Sequence, residues 1–181
     1  TVNNNEYDII IIGTGLSGVG CAYWLRKLYP VECFPRILLV EKNVRPCFAA
    51  SGRNAGFLWP SYEYLAGYVA DLGYENAFQW IEFQHENMRA LANFVNEHKI
   101  DCDIDIQRGN VALASNNHEW EILLESYELV KDYIDKHPKT KISLNNFELW
   151  NRQKCQEMVH SDKFIGGLFM HESGTVWVAK L

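Results

Sequence analysis

Nothing in this sequence supplies a disulfide framework, a metal knuckle or a membrane span. The five cysteines, Cys21, Cys33, Cys47, Cys102 and Cys155, are odd in number and form no C-x-x-C pair. That speaks against a stapled secreted fold and against a zinc site. No Asn-x-Ser/Thr acceptor occurs, so a reducing compartment, the cytoplasm, is the expected location. Apolar runs such as Ile9 to Ile12 fall far short of the roughly 20 residues a spanning helix needs. Thr1 to Glu6 is polar, without a basic-then-apolar leader. Positive charge is in the minority: 17 Lys and Arg against 23 Asp and Glu, a formal charge of -6. This argues against nucleic acid or an anionic membrane as the main partner.

Metal-binding patterns are also missing. His85, His98, His118, His137, His160 and His171 show no H-x-H or H-E-x-x-H spacing and read as surface or helix-end groups. Asp101-x-Asp103-x-Asp105 starts like a calcium loop. Ile106 and Ala112 then stand where the sharp-turn glycine and the bidentate Glu are needed, so a polar strand face is expected instead. What is present is 48% hydrophobic and 22% charged over 181 residues. That is a globular composition for one domain, or one domain and part of a second. The six tryptophans are expected in the core, as large aromatics supply buried area.

Tyr7 to Ile12 reads YDIIII, which suits a strand buried on both faces of a parallel sheet. A helical pattern follows with Gly18, Ala22, Leu25 and Tyr29 on one face, stopped by Pro30. Arg36 to Val40 is a second buried-type strand, completing a right-handed βαβ unit. Glu75 to His98 predicts a long amphipathic helix with Ile81, Met88, Leu91 and Val95 inward. Asp101 to Ser115 suggests two strands joined at Arg108-Gly109. His118 to Lys136 is a further helix with Ile122, Leu129 and Tyr133 inward, and Asn151 to His160 a short one. Ile165 to Met170 and Thr175 to Val178 read as strands about a turn.

The turn between the first strand and helix carries Gly13-Thr14-Gly15-Leu16-Ser17-Gly18. In a G-x-G-x-x-G turn the first glycine permits the tight bend, and the second lets the backbone approach a pyrophosphate. The third lets the helix pack closely on the sheet. The free N–H groups of Leu16, Ser17 and Gly18 at a helix start, with its positive dipole end, suit phosphate oxygens. Glu41 lies 23 residues beyond Gly18, at the end of the second strand, placed for a ribose diol. These features predict dinucleotide binding. A free diol disfavours a 2′-phosphate but leaves NAD and FAD both open. A second loop, Ala49 to Pro60, offers small residues and the donors Ser51, Arg53 and Asn54. By itself, that loop is equally a turn whose Arg pairs with a surface acid.

The fingerprint GTGLSG, the strand end VEK, the loop ASGRNAGF and the late stretch GGLFMHESGTVWVAKL together resemble the D-amino-acid oxidase superfamily of FAD-dependent oxidoreductases. Its members include glycine, sarcosine, D-amino-acid and γ-glutamylputrescine oxidoreductases, and S-G-R-N-x-G looks closest to the last branch. The resemblance implies an α/β fold: a Rossmann-like FAD/NAD(P)-binding domain, with the beginning of an α+β substrate domain. We place the first at residues 1–75 and the second at 76–181. It implies FAD as cofactor, held by Gly13, Gly15, Leu16, Ser17, Gly18, Glu41, Lys42, Ser51, Gly52, Arg53, Asn54 and Ala55. It implies a small-molecule amine or amino acid as substrate, with no catalytic side chain assigned.

Members of the family are about twice this long, as two domains require. The chain therefore reads as an N-terminal portion, inactive alone. An unpaired edge along Thr175 to Val178 would invite a partner chain or self-association. His171 is the least bland histidine, near a strand the family brings to the substrate side. Trp59 is placed to wall the flavin ring. Cys47 precedes the flavin loop, where a low-pKa thiol or a covalent flavin link stands against small buried packing, the commoner use of a free cysteine. Two other classes stay in view: a non-catalytic interaction remnant and an NAD-dependent Rossmann dehydrogenase.

Overall fold

The computed structural model describes residues 6–181, so most of the reading of Thr1 to Glu6 lies outside the described residues. The chain divides into two compact units, Thr1–Gly56 with Trp177–Leu181, and Phe57–Val176. The division falls before the expected boundary at residue 75. Its physical reason is Leu65, fully buried in the second unit's core along with Tyr62. The segment after the glycine loop therefore belongs with the helices that follow it.

In the first unit, β1 (Ile9–Ile12) and β2 (Ile37–Val40) pair in parallel. Helix α1 (Leu16–Leu28) makes the crossover. Arg26 and Lys27 in its last turn complement the negative end of the helix dipole. The helix closes on Tyr29, whose N–H donates to the Leu25 carbonyl just before Pro30. β1 is not buried on both faces. Ile9 and Ile11 are half-buried, but Ile10 and Ile12 are 59% and 88% exposed. Within this unit α1 covers one face of a two-stranded sheet, so the pleat sends alternate isoleucines outward.

The second unit is built on β3 (Phe57–Leu58), α2 (Leu65–Leu72), α3 (Tyr74–His98), β4 (Asn110–Ala114), α4 (Asn117–Lys136), β5 (Phe147–Asn151), α5 (Arg152–Val159), β6 (Gly166–Met170) and β7 (Gly174–Thr175). An antiparallel sheet runs β4-β6-β5, and β3 pairs with β7 as a short ribbon. Gly73 separates α2 from α3, its φ of 80° lying where a side chain is disfavoured. Ile81, Met88 and Val95 of α3 are buried as the periodicity predicts, with Leu91 only half-buried. On α4 the buried stripe is Leu123, Ser126, Val130 and Tyr133, so Ile122 and Leu129 sit at its margin. Tyr133 stacks on Phe78 of α3 at 3.8 Å between centroids.

Several expectations need correcting. Asp101 to Gln107 forms no strand; Asp105 makes an isolated bridge to Thr175, and its carboxylate accepts the N–H of Gln107 as a turn. Thr175 to Val178 is not a free edge either. Thr175 pairs with Phe57, and Val178–Lys180 is a 3-10 turn. Trp24, Trp80 and Trp177 are exposed, while Trp150 is in the core. His85 is no surface group. It is 5% exposed, with Nε2 hydrogen-bonded to the Tyr62 hydroxyl at 2.8 Å. Burial, with Arg89 nearby, draws its pKa down to about 4 against the opposing pull of Glu172, so the ring is neutral at pH 7.

Candidate functional site

The glycine turn is shaped by three different constraints. Gly13 has φ of 100°, and its N–H donates to the Val40 carbonyl at 2.7 Å, which carries the parallel pairing past the end of β1. Gly18 is a packing glycine: a Cβ there would lie 2.0 Å from the Gly13 carbonyl oxygen. Gly15 caps α1 in an extended conformation, and a Cβ on it would meet Ser51 Oγ at 2.9 Å.

Ser51 is therefore the residue that joins the two loops singled out from the sequence. Its Oγ accepts the N–H of Leu16 at 3.1 Å, one of the donors at the start of α1 that have no carbonyl partner within the helix. The loop is clamped from below as well. The Cys47 N–H donates to the Thr14 carbonyl at 3.1 Å, and its thiol lies 3.5 Å from the same oxygen. Gly52 is forced, because a Cβ would come within 1.9 Å of the Cys47 carbonyl oxygen. Arg53 donates from Nε to the Phe48 carbonyl at 2.9 Å, with its guanidinium over the Phe48 ring. Asn54 spends its amide on the loop, donating to the Ala50 and Ser51 carbonyls and accepting the Gly56 N–H. Ser17, Lys42 and Ala55 lie at the surface.

The parallel register sets Ile12 opposite Val40, which brings the next residues of each strand together. Glu41 Oε2 accepts both the N–H of Thr14 at 3.0 Å and its hydroxyl at 2.8 Å. Oε1 accepts the backbone N–H and the side-chain amide of Asn43, at 2.9 and 2.7 Å. These donors, the Thr14 N–H first, hold the Glu41 pKa at about 2, down from 4.5. Thr14 and Asn43 were missed in the sequence. A hydroxyl two residues past the end of β1 and an amide three residues past the end of β2, flanking the acid, were the available signal.

The sign follows from linkage. A carboxylate whose pKa is lower folded than unfolded contributes stability above pH 4.5 and loses it as pH falls toward 2. Glu41→Gln should therefore melt below wild type at pH 7, and the gap should narrow from pH 4.5 down to 2. A gap constant with pH would contradict the network.

Among the described residues, no group of three or more His, Cys, Asp or Glu side chains could hold a metal ion, and no helix is long and apolar enough to cross a membrane. His171 is exposed, its ring edge-on to Phe169. Trp59 donates from its indole to Glu63 and packs on Phe57.

A profile of the family described as DAO, FAD dependent oxidoreductase, matches residues 8–181. The chain belongs to that family. This member of the family is 26% identical over 168 residues to a probable oxidoreductase, OrdL, of Haemophilus influenzae, covering 92% of this chain and 35% of that protein. It is 25% identical over 170 residues to the L-2-hydroxyglutarate dehydrogenase of Escherichia coli K12, covering 94% of this chain and 34% of the relative. The chain thus spans about a third of the curated relatives it matches, less than the half expected. Among solved structures, glycine oxidase of Geobacillus kaustophilus superposes with a TM-score of 0.65 at 20% identity, over 96% of this chain and 41% of that one. The likeness is one of fold, and it agrees with the α/β Rossmann-like architecture read from the sequence.

Proposed function

We propose that the first unit holds the adenosine diphosphate half of FAD, in a protein that oxidises an amine or amino acid. The observation that carries the binding reading is Ser51 Oγ seated over Gly15 and Leu16 beside a fully ionised Glu41. The residues fit the group. Gly15 offers backbone without a Cβ, the start of α1 offers N–H donors, and Glu41 offers a carboxylate for a diol. In this reading Gly13, Gly15, Leu16, Ser17 and Gly18 line the pyrophosphate side, Glu41 and Lys42 the ribose side, and Ser51, Gly52, Arg53, Asn54 and Ala55 the loop toward the flavin. When bound, FAD supplies a two-electron acceptor for a C–H bond beside nitrogen. The chain's own part is to bind and orient.

The amine substrate rests on the S-G-R-N-x-G loop and its resemblance to amine and amino-acid oxidoreductases. A 2-hydroxy acid is the second reading, favoured by the match to L-2-hydroxyglutarate dehydrogenase. The isolated 181-residue chain is expected to be inactive, with self-association driven by the outward face of β1 and β2, where Ile10, Ile12 and Val40 are exposed. An assay of the complete protein and of this chain against polyamines, amino acids and 2-hydroxyglutarate, with size-exclusion chromatography, tests this. Turnover of amines by the complete protein only is the expected result. Turnover of 2-hydroxyglutarate alone, or an active monomeric chain, would overturn it.

A further inference from the structure

The four hydrogen bonds on Glu41 are not equivalent. A carboxylate offers about four in-plane lone-pair positions, and the two donors of Thr14 and the two of Asn43 fill them. A ribose diol that reaches this carboxylate has to replace a donor. The Thr14 N–H cannot leave readily, because the peptides on either side of it are held: the Gly13 N–H donates to the Val40 carbonyl, and the Thr14 carbonyl accepts the Cys47 N–H. The Thr14 hydroxyl is equally committed. Thr14 is 6% exposed, and a buried hydroxyl stripped of its partner carries the full desolvation penalty. Asn43 is only half-buried, so its side-chain amide can turn to water at little cost.

We propose that Thr14 is a positioning residue that anchors Oε2 of Glu41, and that Oε1 is the ligand-facing oxygen, where the side-chain amide of Asn43 yields to a ribose hydroxyl. The inference rests on the reading of Glu41 as the ribose acid. It assigns opposite signs to two residues touching the same carboxylate. Losing the Thr14 hydroxyl frees the acid to swing and weakens binding. Losing the Asn43 amide removes a competitor.

The test is calorimetric titration of ADP, the adenosine half of FAD, into cofactor-free protein, with circular dichroism to verify folding. Glu41→Gln should weaken ADP by at least about tenfold, as for loss of bonds to a charged acceptor. Thr14→Val, which keeps the shape and drops the hydroxyl, should weaken it about five- to tenfold. Thr14→Ser should return it to within about twofold of wild type, a rescue that a packing role would not give. Asn43→Ala should bind as well as wild type or up to about threefold tighter, and this variant carries the test should Thr14→Val unfold. Thr14→Val binding like wild type, or Asn43→Ala binding tenfold weaker, overturns the assignment, while a defect in Glu41→Gln leaves the ribose reading standing. Wild-type protein that takes up no ADP, or Glu41→Gln that binds it normally, overturns both.

Discussion

Gly15→Val is expected to abolish FAD retention while leaving the fold in place. The backbone at Gly15 has φ of -74° and ψ of 179°, an extended conformation that a β-branched residue adopts without strain. The conflict is with what lies opposite. A Cβ alone comes within 2.9 Å of Ser51 Oγ, the far end of a small side chain that can turn away. Two further methyls would push Ser51 off the Leu16 N–H and fill the space where a pyrophosphate meets the backbone. The expected result is a roughly hundredfold loss of FAD affinity, about 2.8 kcal/mol, read by quenching of flavin fluorescence. The far-UV spectrum should stay unchanged. Wild-type FAD retention in this variant would show that the phosphates do not sit at this turn.

Gly18→Ala should do the reverse and damage the fold itself. Here the atom in the way is backbone: the new Cβ would lie 2.0 Å from the Gly13 carbonyl oxygen and 3.1 Å from its carbon. Neither can rotate aside, so α1 must lift from β1. An overpacked core site typically costs about 1–3 kcal/mol, and a rigid backbone clash belongs at or above that upper end. Hydrogen exchange should show lost protection across Ile9–Ile12 and Leu16–Leu28. Gly20 is the matched control on the same helix. Nothing lies within 4 Å of a Cβ there, so Gly20→Ala should be neutral or stabilise by up to about 1 kcal/mol. Equal stability of the two variants would contradict the packing role of Gly18.

The contrast between these glycines marks what could be read in advance. The βαβ unit was legible because Ile9–Ile12 and Ile37–Val40 are short β-branched or aliphatic runs separated by a helical period, and a glycine fingerprint lies between them. The long helix α3 was legible from its apolar spacing. The alternation in Asp101 to Gln107 misled, because period 2 in Asp and Ile also arises where Asp side chains cap their own turns. Asp103 in fact takes a positive φ of 52°, in the left-handed region and outside regular strand geometry. β5 was missed because FELWN is brief and follows directly on Asn145-Asn146, a pair that disfavours strands, although Phe147 and Trp150 are buried. At the site, the motifs name candidate residues but not the contacts those residues make with one another. That Thr14 meets Glu41 follows from strand register across 27 positions, and that Asn54 serves the loop follows from a local ring of carbonyls. Neither is a property of composition or spacing.

The proposed role of the turn at Gly13–Gly18 and of the Glu41 carboxylate is to hold the adenosine half of FAD. The most direct measurement is to denature the purified complete protein and identify the released cofactor by chromatography and mass. FAD is the expected product, from a protein that purifies yellow and that loses the cofactor on Gly15→Val. Release of FMN, which has no adenosine ribose for Glu41 to hold, or of NAD with no flavin, would contradict it.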